Sequence, residues 1–86
     1  MAKFDVRIKR SVAKELLRLP KADNRRIVNR IQGLAENPRP YGCEKLAGQE
    51  SYRTRQGDYR VVYTIDDDRV IVEVVRVGHR RRSAYR

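Results

Sequence analysis

The chain has 86 residues, 40% of them hydrophobic and 37% charged, with 21 Lys and Arg against 11 Asp and Glu. At that length it is one domain with a thin core, hiding roughly 60% of the surface that its unfolded form exposes. It holds no run of about 18 apolar residues to span a membrane, no apolar signal-peptide core near its start and no second cysteine to pair with Cys43, so a cytoplasmic protein is expected.

Phe4, Val6 and Ile8 alternate with Asp5, Arg7 and Lys9, a period of two that predicts a strand over residues 2–9. Ser11 is placed to cap a helix whose apolar face is Val12, Leu16 and Leu19, and Pro20 ends it. A second helix starts near Lys21 or is capped by Asp23. It carries Ile27, Val28, Ile31, Leu34 and Ala35 on one side and stops at Asn37-Pro38. Residues 37–49 are punctuated by Pro and Gly without a period and read as a loop with Leu46 tucked inward. Three strands follow over about 50–55, 59–65 and 69–77, with turns around Gln56-Gly57-Asp58 and Asp66-Asp67-Asp68. Val61–Ile65 and Val70–Val75 are apolar on both faces, as in strands covered on both sides. The order β-α-α-β-β-β predicts a single α+β domain, with a helical hairpin on one face of a mostly antiparallel sheet.

The formal charge is +10, and 16 of the 21 basic residues are arginine. Guanidinium forks grip phosphate oxygens in pairs and keep their charge when partly dehydrated, so the composition points to a polyanionic partner, most readily nucleic acid. Two stretches concentrate the charge. In Tyr52-Arg53-Thr54-Arg55-Gln56-Gly57-Asp58-Tyr59-Arg60, Arg53 and Arg55 share a sheet face. With Gln56-Gly57 as a two-residue turn, Arg53 faces Arg60; a three-residue turn would bring Thr54 there instead. Facing like charges weaken a hairpin, so folding alone does not choose them, whereas a bound polyanion rewards them. A solvated arginine face balanced by Glu73 or other acids is the competing reading. The second stretch is the tail, where Gly78 breaks the last strand and His79, Arg80, Arg81, Arg82 and Tyr85 follow. A frayed basic terminus is the plain alternative. Converging positive groups would bind a phosphate and stabilise a pentavalent transition state.

Other chemistries find little support. Asp66, Asp67 and Asp68 are consecutive, so alternate side chains point apart, and a turn is favoured over a metal site. No Gly-rich phosphate loop, zinc spacing or carboxylate pair is visible, so no metal or cofactor is expected. With one histidine in the chain, a conventional His-paired nuclease is excluded, and Cys43 has no neighbouring histidine to activate it.

Lys-Leu-Ala-Gly at 45–48, Tyr-Arg-Thr-Arg-Gln-Gly-Asp-Tyr-Arg-Val-Val-Tyr at 52–63 and Val-Gly-His-Arg-Arg-Arg-Ser-Ala-Tyr at 77–85, in that element order, resemble the RelE branch of the RelE/ParE toxin superfamily. The resemblance covers nearly the whole chain. It implies a toxin of a toxin–antitoxin pair that enters the ribosomal A site and cuts the mRNA codon there. Its members use attack of a ribose 2′-hydroxyl on the adjacent phosphate, leave a cyclic 2′,3′-phosphate and a 5′-hydroxyl, and need no metal. Carried over by position, Arg53 and Arg55 match two basic, commonly lysine, positions. Arg60 matches the arginine after the Gly-x-Tyr turn, Arg80 the arginine after Val-Gly-x, and Tyr85 the terminal tyrosine. Arginine is too weak an acid to serve as a base, so Arg53 and Arg55 are expected to bind RNA, with Arg81 and Arg82. Tyr85 would help deprotonate the 2′-hydroxyl, Arg60 would stabilise the phosphorane, and Arg80 or His79 would assist the leaving oxygen. His79 is an added titratable group. The resemblance also implies an acidic antitoxin, contacts with rRNA and mRNA, and operator DNA met only through the antitoxin complex. Two other classes remain: a ParE-like toxin acting on DNA gyrase, and a non-enzymatic nucleic-acid-binding protein.

Overall fold

A computed structural model describes residues 3–46 and 50–79. Strand β1 spans Asp5–Ile8, helix α1 Arg10–Leu17, helix α2 Lys21–Gly33, and strands β2 to β5 span Glu44–Lys45, Ser51–Gln56, Tyr59–Asp66 and Ile71–His79. The strands form one sheet in the order β1-β5-β4-β3-β2; β1 runs parallel to β5 and the other pairs are antiparallel.

The helices form where their apolar spacing predicts. Val12 and Leu16 of α1 and Ile27 and Ile31 of α2 are buried on the sheet with Leu34, against Val61, Tyr63, Ile65, Val72, Val74 and Val77. Asn24 Nδ2 donates to the Leu16 carbonyl at 2.7 Å and so ties the first turns of α2 to the end of α1. The starts differ in detail. Lys9, not Ser11, stands before α1, and Pro20 stands before α2. Asp23 lies in the first turn, where its charge complements the helix dipole.

Two short segments depart from the sequence expectation. Residues 37–49 contain a two-residue strand, Glu44–Lys45, paired to Arg53 and Tyr52. Leu46 is half-buried outside the core, with its N–H donating to the Ser51 carbonyl at 2.8 Å. The last strand runs over 71–79 rather than 69–77. Asp66 pairs with Ile71, the Arg69 N–H donates to Asp66 Oδ1 at 3.0 Å, and Val70 takes a φ of 59°. Gly78 does not break this strand; it is buried within it, opposite Arg60.

The loop after α2 is held from below. Tyr63 is fully buried and its hydroxyl donates to the Pro38 carbonyl at 2.8 Å. Arg39 grips Asp67 with two nitrogens at 3.2 and 2.8 Å and stacks over Tyr52 at 5.1 Å from the ring centre. The Asp66–Asp68 acids are thus occupied by a turn and an ion pair. Among the described residues the helices cover one sheet face only, so the central strands are not sandwiched as their apolar runs predict. No described helix is long and apolar enough to cross a membrane.

Candidate active site

The open face is built by the β3–β4 hairpin. Its turn is Gly57-Asp58, with φ of 60° at Gly57, a sign that suits glycine at the first turn position of a type II′ turn. Gln56 therefore pairs with Tyr59 and Arg55 with Arg60. The turn sits one residue later than expected and the pairing shifts by two: the like-charged cross-strand pair is real, but its members are Arg55 and Arg60. Arg53 faces Val62, and Val62 faces Arg76 on the next strand. Direct partners share a face, so Arg53, Arg55, Arg60 and Arg76 line one side of the sheet, away from the helices.

A carboxylate that sequence reasoning missed sits among them. Glu44 pairs with Arg53 across β2–β3, and its Oε1 accepts from Arg53 Nε at 3.1 Å and from Nη2 as well. This fork holds the Glu44 carboxyl below its ordinary range, first through the hydrogen bonds and charge of Arg53, with Arg55 and Arg60 acting in the same direction. Three guanidinium groups thus act on one small anion. Arg53 is the enclosed member, its side chain 24% exposed. The acid proposed from sequence to balance this face, Glu73, instead lies across from Thr64 and Arg7, at the other end of the sheet. A two-residue strand has no periodicity, so only the unpaid charge of the hairpin hinted at an acid such as Glu44.

His79 does not join this group. It pairs with Tyr59 and its ring meets the Tyr59 ring edge-on, with centroids 5.0 Å apart, on the helix side of the sheet. There it lines a small hollow with Asp23, whose Oδ2 accepts from the Tyr59 hydroxyl at 3.3 Å. Arg80, Arg81, Arg82 and Tyr85 lie outside the described residues.

The geometry has counterparts. The family model of the ParE toxin of type II toxin–antitoxin systems matches residues 6–84. Toxin RelE of Mycobacterium tuberculosis is 36% identical over 85 residues, covering 96% of this chain and 87% of the relative. The chain belongs to the RelE/ParE superfamily of type II toxins, as a RelE-like member. RelE of the Pyrococcus horikoshii RelE–RelB complex superimposes on this RelE-like toxin with a TM-score of 0.84 at 32% identity, covering 93% of this chain and 98% of that one. The isolated Escherichia coli RelE toxin gives 0.79 at 26% identity, over 94% and 88% of the two chains. The expected architecture, two helices on a mostly antiparallel sheet, is the one these toxins share.

Proposed function

We propose that this RelE-like toxin is a ribosome-dependent endoribonuclease that cuts mRNA in the A site. The supporting observation is that Arg53, Arg55, Arg60 and Arg76 share one open sheet face, where Arg53 already grips the Glu44 carboxylate. A face that lines up guanidinium groups suits a phosphate whose charge grows in the transition state.

In the proposed reaction the ribose 2′-oxygen attacks the adjacent phosphorus and loses its proton to a base. The bond from phosphorus to the 5′-oxygen breaks, and that oxygen takes a proton from water. The products are a cyclic 2′,3′-phosphate and a 5′-hydroxyl. Arg60 and Arg55 stabilise the phosphorane, and Arg53 takes a phosphate oxygen in exchange for Glu44. Arginine does not accept protons at neutral pH. Glu44, held ionised by Arg53, is too weak a base for the 2′-hydroxyl, so Tyr85 takes its proton, the phenolate favoured by neighbouring positive charge. Arg80 assists the 5′-oxygen, while Arg81 and Arg82 hold flanking phosphates. His79 has no step, because it lies on the other face. The ribosome supplies the alignment that so sparse a site lacks.

The partners follow from the same reading: mRNA and rRNA in the cytoplasm, and an acidic antitoxin that silences the toxin and carries the complex to operator DNA. The solved relative from P. horikoshii is itself a complex with RelB.

Primer extension on mRNA in a purified translating system tests this, comparing wild type with Arg60→Ala and Tyr85→Phe. Cuts within the A-site codon that need ribosomes and vanish in the variants are expected. Intact mRNA at toxin levels that arrest growth would sink the reading. The matching family model, described as ParE, favours one second reading, inhibition of DNA gyrase. In that case supercoiling stops and Tyr85→Phe remains toxic.

A further inference from the structure

The strongest unassigned feature lies on the helix side, beyond the end of β3. A groove of about 420 Å³ runs between the outer side of α2, the loop that follows it and the end of β3. Its polar wall is Arg26, Asn29, Arg30, Asn37 and Gln56. Arg26 and Arg30 are one helical turn apart and so share a face.

The hydrogen bonds within this wall give the groove its polarity. Arg30 Nε donates to Gln56 Oε1 at 3.2 Å, and the Arg39 N–H donates to Asn37 Oδ1 at 3.1 Å. Each amide oxygen thereby already accepts one bond, and the two NH₂ groups add donors beside two guanidinium groups. A wall of donors calls for a ligand of acceptors. An adjoining smaller hollow shares Arg26 and Gln56 but contains Asp23 and Asp58, which repel an anion. Charge thus confines an anionic ligand to the larger groove.

Gly33 is a separate observation. It closes α2 and lines the groove, its φ is not positive, and a Cβ built there meets nothing within 4 Å. Neither packing nor backbone conformation requires glycine, although glycine in a helix is unfavourable relative to other residues. What the missing side chain does is leave the groove open.

We propose that this groove binds the phosphodiester backbone of RNA, as a docking contact separate from the arginine face. Arg26 and Arg30 take phosphate oxygens, and the amides of Asn29, Asn37 and Gln56 take sugar and base acceptors. The inference rests on RNA being the polyanionic target. Arg55 and Gln56 are neighbours in β3 with side chains on opposite faces, so the groove and the arginine face flank the same hairpin end.

The test is the salt dependence of binding of the full chain to a short oligouridylate, with poly-glutamate as a second probe. Arg26→Ala/Arg30→Ala is expected to flatten the slope of log K against log salt by about 1.4, at roughly 0.7 per lost phosphate contact on a single strand. Gly33→Gln fills the groove without changing charge, and is expected to lower oligouridylate affinity several-fold with no loss of Tm. An unchanged slope in the double variant, or unchanged affinity in Gly33→Gln with Tm intact, overturns the proposal. Loss of poly-glutamate binding with oligouridylate binding retained also overturns it, in favour of an acidic peptide. Failure of the nuclease reading looks different: mRNA stays intact in the translating system while the slope still flattens.

Discussion

The Arg55–Arg60 pair makes a stability prediction opposite in sign to its functional one. Directly paired residues have Cβ atoms about 5 Å apart, and guanidinium groups that fan outward stand at ~6 Å or more. Two unit charges at ~6 Å in water repel by about 0.7 kcal/mol. Arg55 is exposed, so solvent and rotamer freedom reduce this. Its attraction to Glu44 offsets a further part. Arg55→Gln keeps the stem and removes the charge, and the net gain is set at about 0.5 kcal/mol. For a domain of this size that raises Tm by roughly 2–4 °C. The gain should shrink toward zero in 1 M salt, where the screening length falls to about 3 Å. Thermal unfolding followed by circular dichroism at low and high salt reads both effects, and mRNA cutting in the translating system should fall in the same variant. A lower Tm for Arg55→Gln at low salt would show that attraction to Glu44 outweighs repulsion from Arg60. The claim that this face is arranged against stability would then be refuted.

Three further outcomes are expected. Tyr63→Phe removes the donor to the buried Pro38 carbonyl and should cost about 1–3 kcal/mol, read as a drop in Tm; a shift below about 1 °C would show that the carbonyl finds another partner. Burial also pushes the Tyr63 phenol up. The unfolded state then releases its proton first, so stability should fall as pH rises past about 10, and this slope should vanish in Tyr63→Phe. Arg53 holds the Glu44 carboxyl down, so its contribution is present above about pH 4.5 and lost as pH falls through the lowered value. Glu44→Gln should remove that acid limb of the stability curve. It should also strengthen oligouridylate binding, since phosphate no longer competes with a carboxylate for Arg53; weaker binding would show that Glu44 positions Arg53 rather than blocks it.

The sequence discloses the parts of the fold that repeat. Period two at Phe4 and Val6 and the helical stripe from Ile27 to Leu34 follow from burial on one side, which the chain must encode in its order of residues, although Ile8 at the end of β1 is exposed. What stayed hidden is what depends on a single step. Gln56-Gly57 and Gly57-Asp58 are both plausible two-residue turns, and the choice decides whether Arg53 or Arg55 meets Arg60. β2 is held by pairing to β3 rather than by any pattern of its own, so Glu44 had no signature. The arginines of the face were nonetheless legible, because charge excess survives a register shift of two residues, which preserves the face.

His79 gives the sharpest separation between charge and position. Proximity in sequence to Arg80 and Tyr85 made it a candidate acid or base, but the pleat of β5 turns it to the helix side with Tyr59. An edge-to-face ring pair contributes about 0.5–1.5 kcal/mol beyond area burial. His79→Ala should therefore lower Tm by several degrees and leave mRNA cutting within about three-fold of wild type when assayed well below that Tm. A general acid or base would instead cost about 10²–10⁴ in rate. Loss on that scale with Tm barely changed would mean that His79 reaches the substrate around the end of the sheet. The reactive phosphate would then lie over the hairpin tip at Gly57-Asp58 rather than on the face of Arg53, Arg55 and Arg60.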